Sequence, residues 1–317
     1  MNTRTGQVSH ELTDAREVVR LVAMSESLLE QVKALVGDPT KLPQFRDALH
    51  AEAGRAIEAM KDPSFALGAG YSAEELARRA DAYEAIATNL AYAMAVVGFW
   101  GTPELGRLVA EVTGRLANAV DRSAGVNVWT DLVLYPALIV EYAAGLGAVT
   151  GGREAFLAPL LISPFVRQRQ EWQSGVLVLY PGAVMDERFA KDLPNMARLL
   201  TPLSRRLFDA LRDKVDGLVF DDATYELVFD RFECLLGLVY ADLARGDAES
   251  VWAPVGRFSW RARYGGGIWV AIGAELDKQG ERWPLLRGGA FDGSADRMRA
   301  SATAYFAHAQ KVAASRF

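Results

Sequence analysis

Apolar residues recur at three- and four-residue spacing along most of the chain, a period that predicts an all-α protein of roughly ten helices. From Glu11 to Val36 the stripe is Val18, Leu21, Val22, Leu28, Leu29, Val32, Leu35 and Val36, and Gly37-Asp-Pro ends it. A second, Ala-rich helix is expected from about Pro43 to Met60. Ser72-Ala-Glu-Glu75 is a capping box that opens a third, charged at first and almost wholly apolar from Ala87 to Phe99. Thr102-Pro103 caps and starts a fourth, which fades by Ser123. The most hydrophobic helix follows, from Trp129 to about Val149, with Gly145 and Gly147 on a small-residue face that another backbone can approach.

Beyond Gly151-Gly152 the pattern is broken into shorter pieces. A short helix is expected over Glu154 to Leu161, while Gly175 to Tyr180 fits either a short strand or one buried helical turn. Thr201-Pro202 starts a helix to about Val215. Asp221 or Asp222 caps the next, whose stripe is Tyr225, Val228, Phe229, Phe232, Leu235, Leu236, Val239 and Leu243. Ile268 to Lys278 resumes as helix, Trp283 to Gly293 reads as an irregular lid, and Ser294 begins the last helix. The weak point near Ser123–Asn127 suggests an N-terminal helical bundle, residues 1–125, and a C-terminal helical domain, residues 126–317, although one continuous domain accommodates the same pattern.

Composition narrows the partners. At 317 residues with 50% hydrophobic residues the chain can bury a large core, and its mean hydropathy of +0.04 suggests apolar surface covered by a protein partner, a second copy or a further domain. A net charge of −5 argues against general nucleic-acid binding. A single cysteine, Cys234, excludes an internal disulfide framework, and the polar first ten residues lack a signal-peptide core, so a cytoplasmic setting is expected. The run from Leu132 to Val149 is apolar enough to resemble a membrane span. Asp131, Pro136 and Glu141 interrupt it, however, which favours a core helix and no membrane role.

Chemical signatures are few. There is no P-loop, no nucleophile elbow, and Gly145-Leu-Gly147 lacks the third glycine and the strand of a dinucleotide fold. His10, His50 and His308 have no metal-pair spacing, and Cys234 sits on an apolar stripe where a thiol is inert. No cofactor, metal or catalytic residue is therefore expected. What stands out is Trp252-Ala-Pro-Val-Gly-Arg-Phe-Ser-Trp-Arg-Ala-Arg263, which brings Trp252 and Trp260 together with Arg257, Arg261 and Arg263. Arginines stack on aromatic rings and clamp carboxylates, so this loop is a candidate recognition element or a clamp between helices. Glu141, set in the most apolar helix, needs a partner once buried. Arg257, Arg261 or Arg263 are expected to supply it, with Arg231 as the alternative, and Asp131 is expected to reach Tyr135 one turn away. Together these residues outline either a buried ion pair or a polar pocket for an anionic or aromatic ligand.

Three segments also carry a resemblance. Leu132-Val-Leu-Tyr-Pro-Ala-Leu with Glu141-Tyr-Ala-Ala-Gly-Leu, Arg231-Phe-Glu-Cys-Leu-Leu-Gly leading to Trp252–Arg261, and Trp283-Pro-Leu-Leu-Arg-Gly-Gly-Ala-Phe-Asp-Gly together resemble the helical C-terminal region of multidomain bacterial proteins linked to phage defence. The match covers roughly residues 129–317. It implies a non-enzymatic sensor, scaffold or protein-interaction module whose effector lies elsewhere. The residues themselves leave open a helical small-molecule or nucleotide binder that uses the Arg/Trp loop against a buried carboxylate.

Overall fold

Caps, prolines and glycines set where each helix begins and ends. The computed structural model describes residues 30, 32–34, 38–168, 171–245, 252–261 and 267–315, so the expected Glu11–Val36 helix lies almost entirely outside the described residues. Fifteen α-helices are found among the described residues, five of them four-residue turns, with one two-stranded sheet. The fold is all-α.

Helix α1 (Leu42–Met60) buries Phe45, Leu49, Ala53, Ala56 and Met60, one face at helical spacing. Helix α2 (Ala73–Phe99) starts where Ser72 Oγ accepts the Glu75 N–H at 3.1 Å, and α3 (Pro103–Ala117) is capped in the same way by Thr102. The apolar run then splits into α4 (Asn127–Leu132) and α5 (Tyr135–Thr150). Pro136 accounts for the break: it has no N–H to give the Leu132 carbonyl, and its ring crowds that carbonyl. The 24 residues from Asn127 to Thr150 are long and apolar enough to cross a bilayer, but 94% of the apolar window is buried in the core.

Helices α2 and α5 form the largest helix pair, and glycine makes it possible. A Cβ on Gly98 would fall on the Ala144 carbonyl, and one on Gly147 would fall on the Ala95 carbonyl. The expected small-residue face is therefore real at Gly147, whereas Gly145 makes room for the Phe232 ring. This pair also spans the suggested boundary at residues 125–126, and a single apolar core runs from Phe45 through Leu138 to Ala309.

Helix α6 (Leu157–Ile162) leads into a hairpin that the hydrophobic pattern does not show, β1 (Pro164–Gln168) antiparallel to β2 (Glu171–Ser174). Its cause is tertiary. The Asn118 side chain just past α3 donates to Phe165 O and accepts from Arg167 N, both at 2.8 Å, and so acts as a surrogate strand. Gly175 to Val178 is a buried helical turn (α7), which settles the strand-or-helix alternative. Two more turns, α8 (Pro181–Val184) and α9 (Glu187–Ala190), precede α10 (Pro202–Leu211), which stops a turn earlier than expected; Thr201 gives it no side-chain cap.

Helix α11 (Asp222–Arg245) is capped by Asp221, which accepts the Thr224 N–H at 2.8 Å, and it carries Tyr225, Phe229, Phe232, Leu235, Leu236 and Val239 into the core. The strap 252–257 lies along it and ends in α12 (Phe258–Arg261). Helix α13 (Ile268–Gln279) is stopped by Gly280 at φ 53°, and α14 (Pro284–Arg287) and α15 (Ala295–Ser315) complete the chain. The segment read as a lid is instead a plug, since Trp283 has no exposed surface and Phe291 is buried beside it.

Candidate ligand pocket

The cluster that organises the C-terminal half begins on α11. Glu226, Asp230 and Glu233 follow one another at four- and three-residue spacing, which places them on one face of a helix. Such a stripe normally faces water. Here the strap covers it, leaving Asp230 and Glu233 only 5% and 3% exposed.

The strap descends onto α11 through two glycines. Gly237 on the helix leaves space for the Tyr305 hydroxyl and the Pro254 carbonyl, which hydrogen-bond each other at 3.1 Å. Gly256 on the strap sits where a Cβ would strike the Glu233 carboxylate. The Arg257 N–H can then donate to Glu233 Oε2 at 3.0 Å and to Ser204 Oγ at 3.1 Å. The Ser204 hydroxyl, from α10, also hydrogen-bonds Glu233, and the Tyr142 hydroxyl, from α5, donates to Glu233 Oε1 at 3.2 Å. Three donors from three elements thus converge on one buried carboxylate. Burial still outweighs them and raises the Glu233 pKa to about 7.

The Arg257 guanidinium turns away from that carboxylate. Its Cζ lies 3.6 Å from the centre of the Phe208 ring, Nη2 donates to Glu226 at 3.0 Å, and Nε stands 4.0 Å from Asp230. Arg257 thus meets carboxylates of α11 as a clamp between helices would.

A cavity of about 160 Å³ opens beside Glu233, between α5, α10, α11, the strap and α15. Its walls include Tyr142, Leu203 and Leu236, and its mouth is framed by Tyr180 and Trp252. Trp252, 58% exposed, meets Tyr180 and Tyr240 edge-on at 5.8 and 5.7 Å, and the two tyrosines meet each other at 5.2 Å. His308 contributes its ring from α15. Nε2 lies 3.0 Å from the Ala253 carbonyl, which can only accept, so Nε2 carries the proton; burial lowers its pKa and favours the neutral ring.

The other expected site residues fall elsewhere. Glu141 is wholly buried, yet neither carboxylate oxygen has a hydrogen-bond partner among the described residues, and burial alone drives its pKa well above the ordinary range. The expected pairing with Arg257 or Arg231 does not occur. Arg257 is taken by Glu226, and Arg231 bridges Glu154 at 2.5 Å and Glu275 at 2.6 Å. Tyr135 does not meet Asp131 either; its hydroxyl donates to Glu84 at 2.7 Å, and Arg206 donates to the same carboxylate at 2.6 Å. Arg206 is only 11% exposed because it braces α10 against α2. Asp131 lines a separate surface cleft with Arg122, Arg167 and Trp172. Trp260 is partly exposed, the side chain of Arg261 lies outside the described residues, and so does Arg263.

Of the expected set, then, only Trp252 lines the cavity, while the Arg257 N–H reaches its Glu233 carboxylate. Glu233, Ser204 and Tyr142 were missed. The available signal was the acidic spacing of 226, 230 and 233 on an otherwise apolar helix, followed one turn on by Gly237. Cys234 is buried and its thiol pKa is driven up, which leaves it unreactive. No group of three or more His, Cys, Asp or Glu among the described residues is arranged to hold a metal ion. No family model matches the chain, and no curated protein or solved structure matches it.

Proposed function

We propose that this chain is a non-enzymatic helical sensor that works by binding a small molecule in the cavity over Glu233. The observation that supports this most directly is the cavity itself. A pocket of about 160 Å³, apolar on most of its walls, converges on one buried, hydrogen-bonded carboxylate and opens through aromatic rings. Ligand sites are commonly built in this way, with apolar walls and a few placed polar groups. The volume suits a ligand of roughly ten non-hydrogen atoms, judged against the space one water fills.

The architecture also supplies a route for reporting occupancy. The strap contacts the ligand space through Trp252 and Gly256, and it continues directly into α12. A ligand seated on Glu233 would favour the strap's docked position, and a protein partner or second copy would read that position. Phe220 and Leu227, 86% and 59% exposed at the start of the helix that carries Glu233, favour such a contact. The resemblance to helical regions of defence-linked bacterial proteins suggests a cytoplasmic role beside a separate effector.

A fragment screen by thermal shift tests the ligand reading. Hits should raise the melting temperature of the wild-type chain and lose that effect in Trp252→Ala. Hits that stabilise Trp252→Ala equally, or the absence of any hit, would overturn it.

A further inference from the structure

We infer that the cavity takes a small organic cation, an amine whose ammonium sits on Glu233 and whose apolar part fills the space toward Trp252. This rests on the cavity being a ligand site, and it reverses the anionic ligand that the arginine-rich loop suggested. The first ground is charge. Among the described residues two carboxylates, Glu233 and Glu187, line the cavity, and no lysine or arginine side chain does. Lys191 bridges Glu187 at 2.8 Å, so the uncompensated charge is at Glu233.

The second ground is what the surrounding groups can supply. Tyr142 on α5, Ser204 on α10 and the Arg257 N–H on the strap offer hydrogen bonds without a full positive charge. Among the described residues no cationic side chain forms an ion pair with Glu233: the Arg257 guanidinium is held by Glu226, Asp230 and the Phe208 face, and it favours the Glu233 carboxylate only through space, less strongly than burial disfavours it. The remaining titratable neighbours add no positive charge. Asp230 and Cys234 share its helix, Glu141 precedes Tyr142 on α5, Tyr305 on α15 keeps its proton, and His308 favours its neutral form. Close pairing of this carboxylate's charge is therefore left to a proton or to a bound cation, and a cation that enters releases the proton to solvent.

The third ground is the mouth. Tyr180 and the exposed Trp252 line the same cavity as the carboxylate, and such aromatic rings attract organic ammonium groups.

Titration calorimetry on the intact chain with 2-phenylethylamine, 2-phenylethanol and phenylacetate tests this, since the three share a skeleton and differ in charge. The amine should bind at least roughly tenfold tighter than the alcohol, and the carboxylate should bind least. Amine affinity should rise from about pH 5.5 to about pH 8, with proton release measured by varying the buffer, and Glu233→Gln should remove both the preference and the release. Circular dichroism of Glu233→Gln controls for folding. Equal binding of alcohol or carboxylate, retained in Glu233→Gln and lost in Trp252→Ala, would overturn the cation inference and leave the pocket reading standing. Binding by none of the three would overturn the inference as well, while the fragment screen judges the pocket separately.

Discussion

Two buried glutamates are each linked to one tyrosine, one as its neighbour in the chain and the other by a hydrogen bond. Glu141 precedes Tyr142 on α5, and the Tyr142 hydroxyl donates to Glu233 on α11. Both carboxyl groups are enclosed and both have raised pKa values, yet their surroundings differ in kind. Glu141 has no donor among the described residues, whereas Glu233 is met by a tyrosine, a serine and a backbone N–H and borders a cavity. Burial alone makes a neutral carboxylic acid sealed in the core. Burial with converging donors and open space makes a place where another molecule can be bound.

Steric substitutions separate the two most strongly. A methyl group on Gly256 strikes the Glu233 carboxylate, and one on Gly145, a turn from Glu141, strikes the Phe232 ring. Gly256→Ala and Gly145→Ala should each lower stability by roughly 3 kcal/mol, measured by denaturant midpoint. Only Gly256→Ala should also abolish fragment-induced stabilisation. A fully stable Gly256→Ala protein that keeps that response would break the assignment of the strap to Glu233.

The pH dependence follows from sign. A carboxylate whose folded pKa is raised holds its proton more tightly in the native state, so its stabilising effect is complete below its ordinary pKa and is lost as pH rises through the folded value. With Glu233 near 7, that loss amounts to about 3 kcal/mol between roughly pH 4.5 and 7. Glu233→Gln should flatten this part of the stability profile. Glu141 contributes with the same sign, so a double variant should be flatter still; an unchanged slope in both would mean that neither group is buried as described.

Glu141→Met should raise stability by about 1 kcal/mol at neutral pH, because it removes an unsatisfied polar group from an apolar site. A loss of comparable size would reveal a partner for that carboxyl. Smallest of all, Phe220→Ala should change stability by less than about 0.5 kcal/mol, since that ring is 86% exposed and lies outside the cavity.

Sequence reasoning located the helices well wherever a local signal existed. Ser72, Thr102, Asp221 and Ser294 were legible as caps because a hydroxyl or carboxylate before an apolar stripe has few other uses. The β1–β2 hairpin was not legible, since Asn118, more than forty residues away, supplies the hydrogen bonds that extend it. The same distinction applies to the site. Trp252 and Arg257 stood out by composition, and the inward direction of Arg257 was expected correctly, but its target was assigned to the wrong helix. Glu226, Asp230 and Glu233 were not singled out, because nothing local shows that the strap beyond the end of their helix folds back to bury two of them. Glu141 shows the converse. Its burial could be read from its neighbours, but whether a partner waited for it depended on packing that no local pattern encodes.

Glu233 is the decisive group: a carboxyl that burial keeps protonated up to about pH 7 and that a bound cation causes to ionise. Carbon-13 NMR of glutamate-labelled protein, with Glu233→Gln to identify the resonance, measures this directly. The Glu233 carboxyl should titrate near 7 in the free protein and move into the ordinary carboxylate range when 2-phenylethylamine saturates the pocket. A resonance that already titrates in the ordinary range, or one near 7 that the amine leaves unmoved, would contradict it.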